Sequence, residues 1–321
     1  MEKLRVNVSP HIKSGNSTAG IMLDVMIALV PALLASIWFF GIRALTVTLV
    51  CVAACVISEA LFELCARRSV TVKDLSAVVT GMILAFNLPV TIPYWQAVVG
   101  SIVAIVVVKQ LFGGIGFNFA NPAGTARVMM LVSFSGTMTH WTVPGNIDLV
   151  SSATPLSLIK EGKLDKLPTF FQMLTGNRAG SIGETCAIAL AFGFVYLLVR
   201  GVITWHIPVI YMATTFVFSY FAMGFDLSGA VYQILSGGLI FGAVFMATDY
   251  ATSPPTAWGK ALFAFGCGII TVAVRLWGSN PEGVTFAILF MNILTPYISR
   301  LTAHRIVGAA PVKLGAKGGA R

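Results

Sequence analysis

Two sets of residues in this chain could do chemistry. The first is a run of hydroxyls, Ser151-Ser152-Ala153-Thr154-Pro155-Leu156, inside the longest polar interval, about residues 137–184. The interval also holds Asp148, Lys160, Glu161, Lys163, Asp165, Lys166, Arg178 and Glu184. A hydroxyl among small residues can carry a covalent group; the same residue types also dominate ordinary turns. A loop this long in a compact protein is usually functional. The second set is ionisable residues inside apolar runs, Glu59 and Asp24. Such residues are candidates for an ion path, with a hydrogen-bonded structural carboxyl as the plainer alternative. Glu63, one turn before Arg67, reads as a surface pair. Lys109 reads as a helix-end lysine that snorkels to the interface. His140, Trp141 and His206 read as interfacial anchors.

Other chemistries are excluded. There is no Ser-His-Asp set and no metal-ligand set, so neither a catalytic residue nor a metal site is expected. Gly114-Ile115-Gly116 lacks the third glycine and the strand–helix frame of a dinucleotide fingerprint, which argues against NAD binding by this chain. Cys51 and Cys55, one helical turn apart, read as small buried apolar residues. An iron–sulfur or zinc site needs about four ligands.

The elements around these residues are helices in a membrane. Hydrophobic residues make up 57% of the 321 and charged residues 10%, against about 25% charged in a soluble domain. Apolar runs of about 17–25 residues are long enough to cross a bilayer. The expected fold is an all-α polytopic membrane protein of about ten transmembrane helices in two inverted five-helix repeats. The candidate helices are 21–40, 43–64, 76–89, 95–112, 122–137, 185–200, 205–223, 229–247, 257–276 and 282–301. Residues 1–20 form a polar arm, 21–137 the first repeat, 138–184 the loop, 185–301 the second repeat and 302–321 a basic tail. No cleavable signal peptide is expected. A cytoplasmic N-terminus puts most of the 21 Lys and Arg on the cytoplasmic side, as the positive-inside rule requires. Both termini then face the cytoplasm and the Thr154 loop faces away from it. The net charge of +9 needs no nucleic-acid partner.

The repeat is read from Asn121-Pro122-Ala123-Gly124, which opens the fifth candidate helix, and Asn280-Pro281-Glu282-Gly283, which opens the tenth. Proline suits the first turn of a helix and the preceding asparagine can cap it. Copies five spans apart point opposite ways through the membrane. Asn87-Leu88-Pro89 and Thr248-Asp249-Tyr250-Ala251-Thr252-Ser253-Pro254-Pro255 interrupt corresponding helices of the two halves. Inverted repeats place their sites at the interface between the halves.

The hexapeptide, with Asp148 upstream, resembles the flavin-attachment motif of the NqrB/RnfD family, Ser/Thr-Gly-Ala-Thr. Ser151, Ala153 and Thr154 match it, and Ser152 replaces the glycine. Ser9-Pro10-His11, Gly116 through Ala123, Phe245 through Asp249 with Thr252-Ser253-Pro254, and Glu282 through Asn292 are similar to further motifs of that family. The likeness covers about residues 8–300, and the short arm is like that of the RnfD branch. It implies FMN joined by a phosphoester to Thr154 and a second, non-covalent flavin, riboflavin, within the bundle. It implies an electron-carrying subunit of an ion-translocating ferredoxin:NAD oxidoreductase complex, driving Na⁺ or H⁺. The implied partners are an extracytoplasmic FMN-bearing G subunit and membrane A and E subunits, in a bacterial cell membrane.

An isoalloxazine ring needs an apolar slot with a few amide or carboxylate partners at its edge. Asn118, Asn121 and Asp249 are the candidates, with a helix cap as the alternative for Asn121 and a cap or ion pair for Asp249. Without the resemblance, an inverted-repeat transporter or channel lacking any redox cofactor would be the first reading.

Overall fold

The computed structural model describes residues 17–144, 153–161, 167–184, 186–278 and 282–303. Ser151, Ser152, Asp148, Asn280 and Pro281 lie outside them, as do most of the N-terminal arm and the basic tail. All regular structure among the described residues is helical.

Helix α1 (Thr18–Phe40) is opened by Ser17, whose Oγ accepts the Gly20 N–H at 3.1 Å. It ends at Gly41, whose φ of 70° turns the chain straight into α2 (Ile42–Cys65). Two short helices follow, α3 (Ser76–Phe86) and α4 (Tyr94–Gln110). The latter is π-helical from Val103 to Gln110. Helix α5 (Pro122–Ser133) is capped by Asn121 as its Asn-Pro start predicts. A one-turn helix, α6 (Ser135–Met138), follows it. The loop region contributes α7 (Pro155–Lys160) and α8 (Phe170–Thr175). The second half comprises α9 (Ala187–Val199), α10 (His206–Ala222), α11 (Leu227–Leu235), α12 (Leu239–Met246), α13 (Ala257–Trp277) and α14 (Val284–Thr302).

Every candidate span contains helix, and the chain is a polytopic membrane protein. By length and composition α1, α2, α13 and α14 can each cross a bilayer. Helices α11 and α12 make a fifth if taken as one span bent by 59°. Helices α3, α4, α9 and α10 are apolar but shorter, so the count of ten rests on the sequence alone.

Within each half, helices pack where glycine lets backbones touch. A Cβ on Gly81 of α3 would stand 2.7 Å from Val52 Cα of α2. Between the halves, a Cβ on Gly193 of α9 would stand 2.4 Å from Ala28 O of α1. Small residues at such crossings are how membrane helices approach closely. Gly81→Ala is therefore expected to cost about 1–3 kcal/mol, the usual penalty of overpacking, read as a lower thermal midpoint in detergent.

Both halves break their helix path at a left-handed residue. Leu75, φ 63°, precedes α3. Gly237 and Gly238, φ 66° and 64°, separate α11 from α12. The far ends of α3 and α12 meet, where Asn87 Nδ2 donates to Ile83 O at 2.8 Å and to Met246 Sδ at 3.4 Å.

Candidate functional site

A cleft lies between the halves. Helices α1 and α3 and the segment leading into α5 line it from the first half, and α9, α12 and the stretch after α12 from the second. Its empty space is about 770 Å³, including a part open to solvent. Most of the wall is aliphatic: Ile21, Met22, Val25, Val79, Ile83, Leu197 and Val244, with Phe245. The polar lining is Ser76, Thr80, Lys109, Asn118, Asn121, Thr248, Asp249 and Tyr250.

The three sequence candidates for a bound ring, drawn from distant positions, all line this cleft. Asn118 Oδ1 is buried without a hydrogen-bond partner among the described residues. Asp249 accepts from the Ala251 N–H at 3.4 Å and from Thr252 Oγ1 at 3.2 Å. Both contacts are long, which leaves lone pairs for a ligand. Asn121 does structural duty as well: its Oδ1 accepts from Gly124 N at 3.0 Å and its Nδ2 donates to Met246 O at 3.3 Å. Asn292 joins this knot. With its amide oriented to satisfy its neighbours, it accepts from Asn121 N at 3.0 Å and donates to Thr252 O at 3.2 Å.

Glu59 lies behind the cleft wall. It is fully buried, and its Oε1 accepts from Lys109 Nζ at 2.5 Å and from Gln110 Nε2 at 2.7 Å. Lys109 also donates to Ser76 Oγ at 2.6 Å. Lys109 is thus a buried partner of Glu59 and does not snorkel, because α4 carries it inward against α2. Glu63 likewise does not pair with Arg67 at the surface. It is buried and accepts from Thr71 N and Oγ1 at 2.9 and 2.5 Å and from Gln110 at 3.2 Å. Asp24 faces α9, where Arg200 donates to it at 3.1 and 3.2 Å and Tyr196 Oη at 2.9 Å. Those bonds occupy both carboxylate oxygens in a contact between the halves.

Thr154 is the N-cap of α7, and its Oγ1 accepts the Ser157 N–H at 3.3 Å. It is 9% exposed, while the preceding Ala153 is exposed. Helix α7 docks on the second half: Leu156 lies against Gly237, and Lys160 Nζ donates to Gly278 O. Nearby, Arg178 is buried and donates to Glu184 O at 2.8 Å. It has no carboxylate in ion-pair range among the described residues, and burial lowers its pKa. Trp141 is only 7% exposed, so it packs inside the protein and does not anchor in an interface.

Three pairings are not legible in the sequence: Glu59 with Lys109, Arg127 with Glu282, and Arg275 with the carbonyls at the α11–α12 break. Each joins residues at least thirty-eight positions apart. The available signal is a cation inside an otherwise apolar helix, which must find a partner when buried. Among the described residues no group of His, Cys, Asp or Glu could hold a metal ion.

Comparisons with known proteins converge on one family. A family model described as "NQR2, RnfD, RnfE family" matches residues 5–308. The D subunit of the Na(+)-translocating ferredoxin:NAD(+) oxidoreductase complex of Acetobacterium woodii is 46% identical over 98% of this chain and 98% of its own length. The D subunit of the proton-translocating ferredoxin:NAD(+) oxidoreductase complex of Clostridium ljungdahlii is 37% identical over 97% of this chain and 96% of its own. The D subunit of an ion-translocating oxidoreductase complex from Halorhodospira halophila is 36% identical over 96% of each chain.

Proposed function

Because the chain belongs to the NQR2, RnfD, RnfE family, we propose that it is the electron-carrying membrane subunit of an ion-translocating ferredoxin:NAD oxidoreductase. FMN is joined to Thr154 by a phosphoester, with Ser151, Ser152 and Ala153 forming the approach. A non-covalent riboflavin occupies the cleft. The flavins supply one- and two-electron redox chemistry when bound; the chain's own part is to hold and tune them. Transfer is coupled to Na⁺ or H⁺ movement, for which Glu59 is the candidate carboxylate. The two relatives whose names specify a cation differ in it, so the coupling ion is not assigned. The partners are an extracytoplasmic FMN-bearing G subunit and the membrane A and E subunits. The site of action is the bacterial cell membrane, with both termini cytoplasmic and two inverted repeats around the cleft.

One observation carries the reading. The cleft between the halves gathers Asn118, with an unpartnered acceptor, and Asp249 around an aliphatic slot. Acceptors at the edge of an apolar slot suit the ring N–H and the apolar face of a flavin. Thr154 supports it from outside the bundle. Esterification of its oxygen retains a lone pair for the Ser157 N–H and gives up only the 3.4 Å bond to Ser157 Oγ.

The test is in-gel flavin fluorescence under denaturing conditions, after co-expression with the flavin-attaching enzyme. Wild type is expected to fluoresce at this chain's band, and Thr154→Ala to be dark. Thr154→Ser, which keeps a hydroxyl and the cap, is expected to retain part of the signal. A dark wild type beside a labelled acceptor protein overturns the covalent-flavin assignment.

A further inference from the structure

We propose that Lys109 is the electropositive group of the cleft wall, and that its pairing with Glu59 sets the reduction potential of the ring held there. This rests on the flavin reading of the cleft. Lys109 and Ser76 line the cleft while Glu59 does not. Lys109 therefore joins the cleft wall to a carboxylate that lies outside the lining. Two of its three N–H groups go to Glu59 Oε1 and Ser76 Oγ. The third has no hydrogen-bond partner among the described residues.

The Ser76 hydroxyl cannot neutralise this charge. Its own proton goes to Asp74 Oδ1 at 2.6 Å, so it offers Lys109 only a lone pair. Glu59 takes the ammonium and the Gln110 amide on Oε1, and its Oε2 is buried without a partner. The pair is compensated but not saturated, and both members are almost wholly removed from solvent. Charge is weakly screened in such a place. Adding an electron to a ring in the cleft adds negative charge on the Lys109 side of the pair. The nearer positive end favours the reduced ring, and the farther negative end opposes it.

The two ends then have effects of opposite sign. Removing the carboxylate charge with Glu59→Gln leaves Lys109 without its ion-pair partner and raises the potential. Removing the ammonium with Lys109→Met leaves Glu59 uncompensated and lowers it. Glu59→Gln with Lys109→Met removes both charges of the pair and returns the potential toward that of wild type. A purely structural role would weaken binding in all variants and show no such reversal.

The experiment is a spectroscopic redox titration of riboflavin bound to the purified full chain. A Thr154→Ala background removes the covalent flavin, so the cleft holds the flavin that is read. The expected shift for each single variant is at least tenfold in the two-electron equilibrium, about 30 mV, upward for Glu59→Gln and downward for Lys109→Met. Should Lys109→Met release riboflavin, the sign is read from Glu59→Gln and from the double variant. Riboflavin bound with shifts of the same sign in the variants, or with none, overturns the inference. A background chain that takes up no riboflavin overturns the cleft reading itself.

Discussion

Replacing Arg127 by leucine is expected to remove about 3–5 kcal/mol of stability, the cost of breaking a buried ion pair by deleting one partner. Arg127 projects from α5 in the first half. Its guanidinium pairs with Glu282, just before α14 in the second half, and donates to Thr285 Oγ1 at 2.7 Å. The two side chains are 7% and 14% exposed. Leucine would leave the Glu282 carboxylate in a poorly hydrated place without its ion-pair partner. The contact also joins α5 to α14, so its loss loosens the seam between the halves. Arg127→Leu combined with Glu282→Leu is expected to recover most of the loss, because two apolar groups need no compensation. Thermal unfolding of the detergent-solubilised chain checks this. A double variant no more stable than Arg127→Leu would show that the arginine acts mainly through Thr285 or through packing.

The second large effect is expected at Arg275, in the last turn of α13. Its Nη1 donates to Gln233 O at 2.5 Å and to Gln233 Oε1 at 3.1 Å. Its Nη2 donates to Ser236 O at 2.9 Å and to Gly237 O at 3.3 Å. These carbonyls lie where α11 stops and the chain passes through two left-handed glycines, a conformation that favours glycine for want of a Cβ. One fork therefore satisfies the backbone of a broken helix. Each buried carbonyl left without a donor costs about 1–3 kcal/mol, so Arg275→Leu is expected to lose at least about 3 kcal/mol. Arg275→Lys keeps the charge but not the planar fork, and is expected to fall between. Leu156 of α7 packs against Gly237, so α7 is expected to exchange its amide protons faster in Arg275→Leu. Unchanged exchange there would show that α7 is held independently of the break.

Much of this is legible in the chain. Apolar runs of bilayer length can only be helices, since lipid offers no partner to an exposed backbone amide. Asn121-Pro122 fixes the start of α5 because a cap and a preset φ are local properties. The bend at Gly237-Gly238 is not legible, because two glycines inside an apolar run do not announce a break until tertiary contacts favour one. Asn118, Asn121 and Asp249 stand out as candidates by type, but their common cleft does not. Spacing alone misassigns Glu63, because an i,i+4 interval measures only the neighbour on the same helix. Thr71 and Gln110 reach it from other segments.

Composition, periodicity and short motifs are local properties, and the bilayer leaves them one solution. They suffice to make this chain a helical membrane protein, to put hydroxyls in its long polar interval, and to tie its motifs to one family. Which charges are paired is settled only in three dimensions. Lys109 with Glu59 and Arg127 with Glu282 are buried partners from distant segments, and Asp24 meets the more exposed Arg200. A buried charge must be compensated, but the partner is whichever opposite group the packing brings within reach.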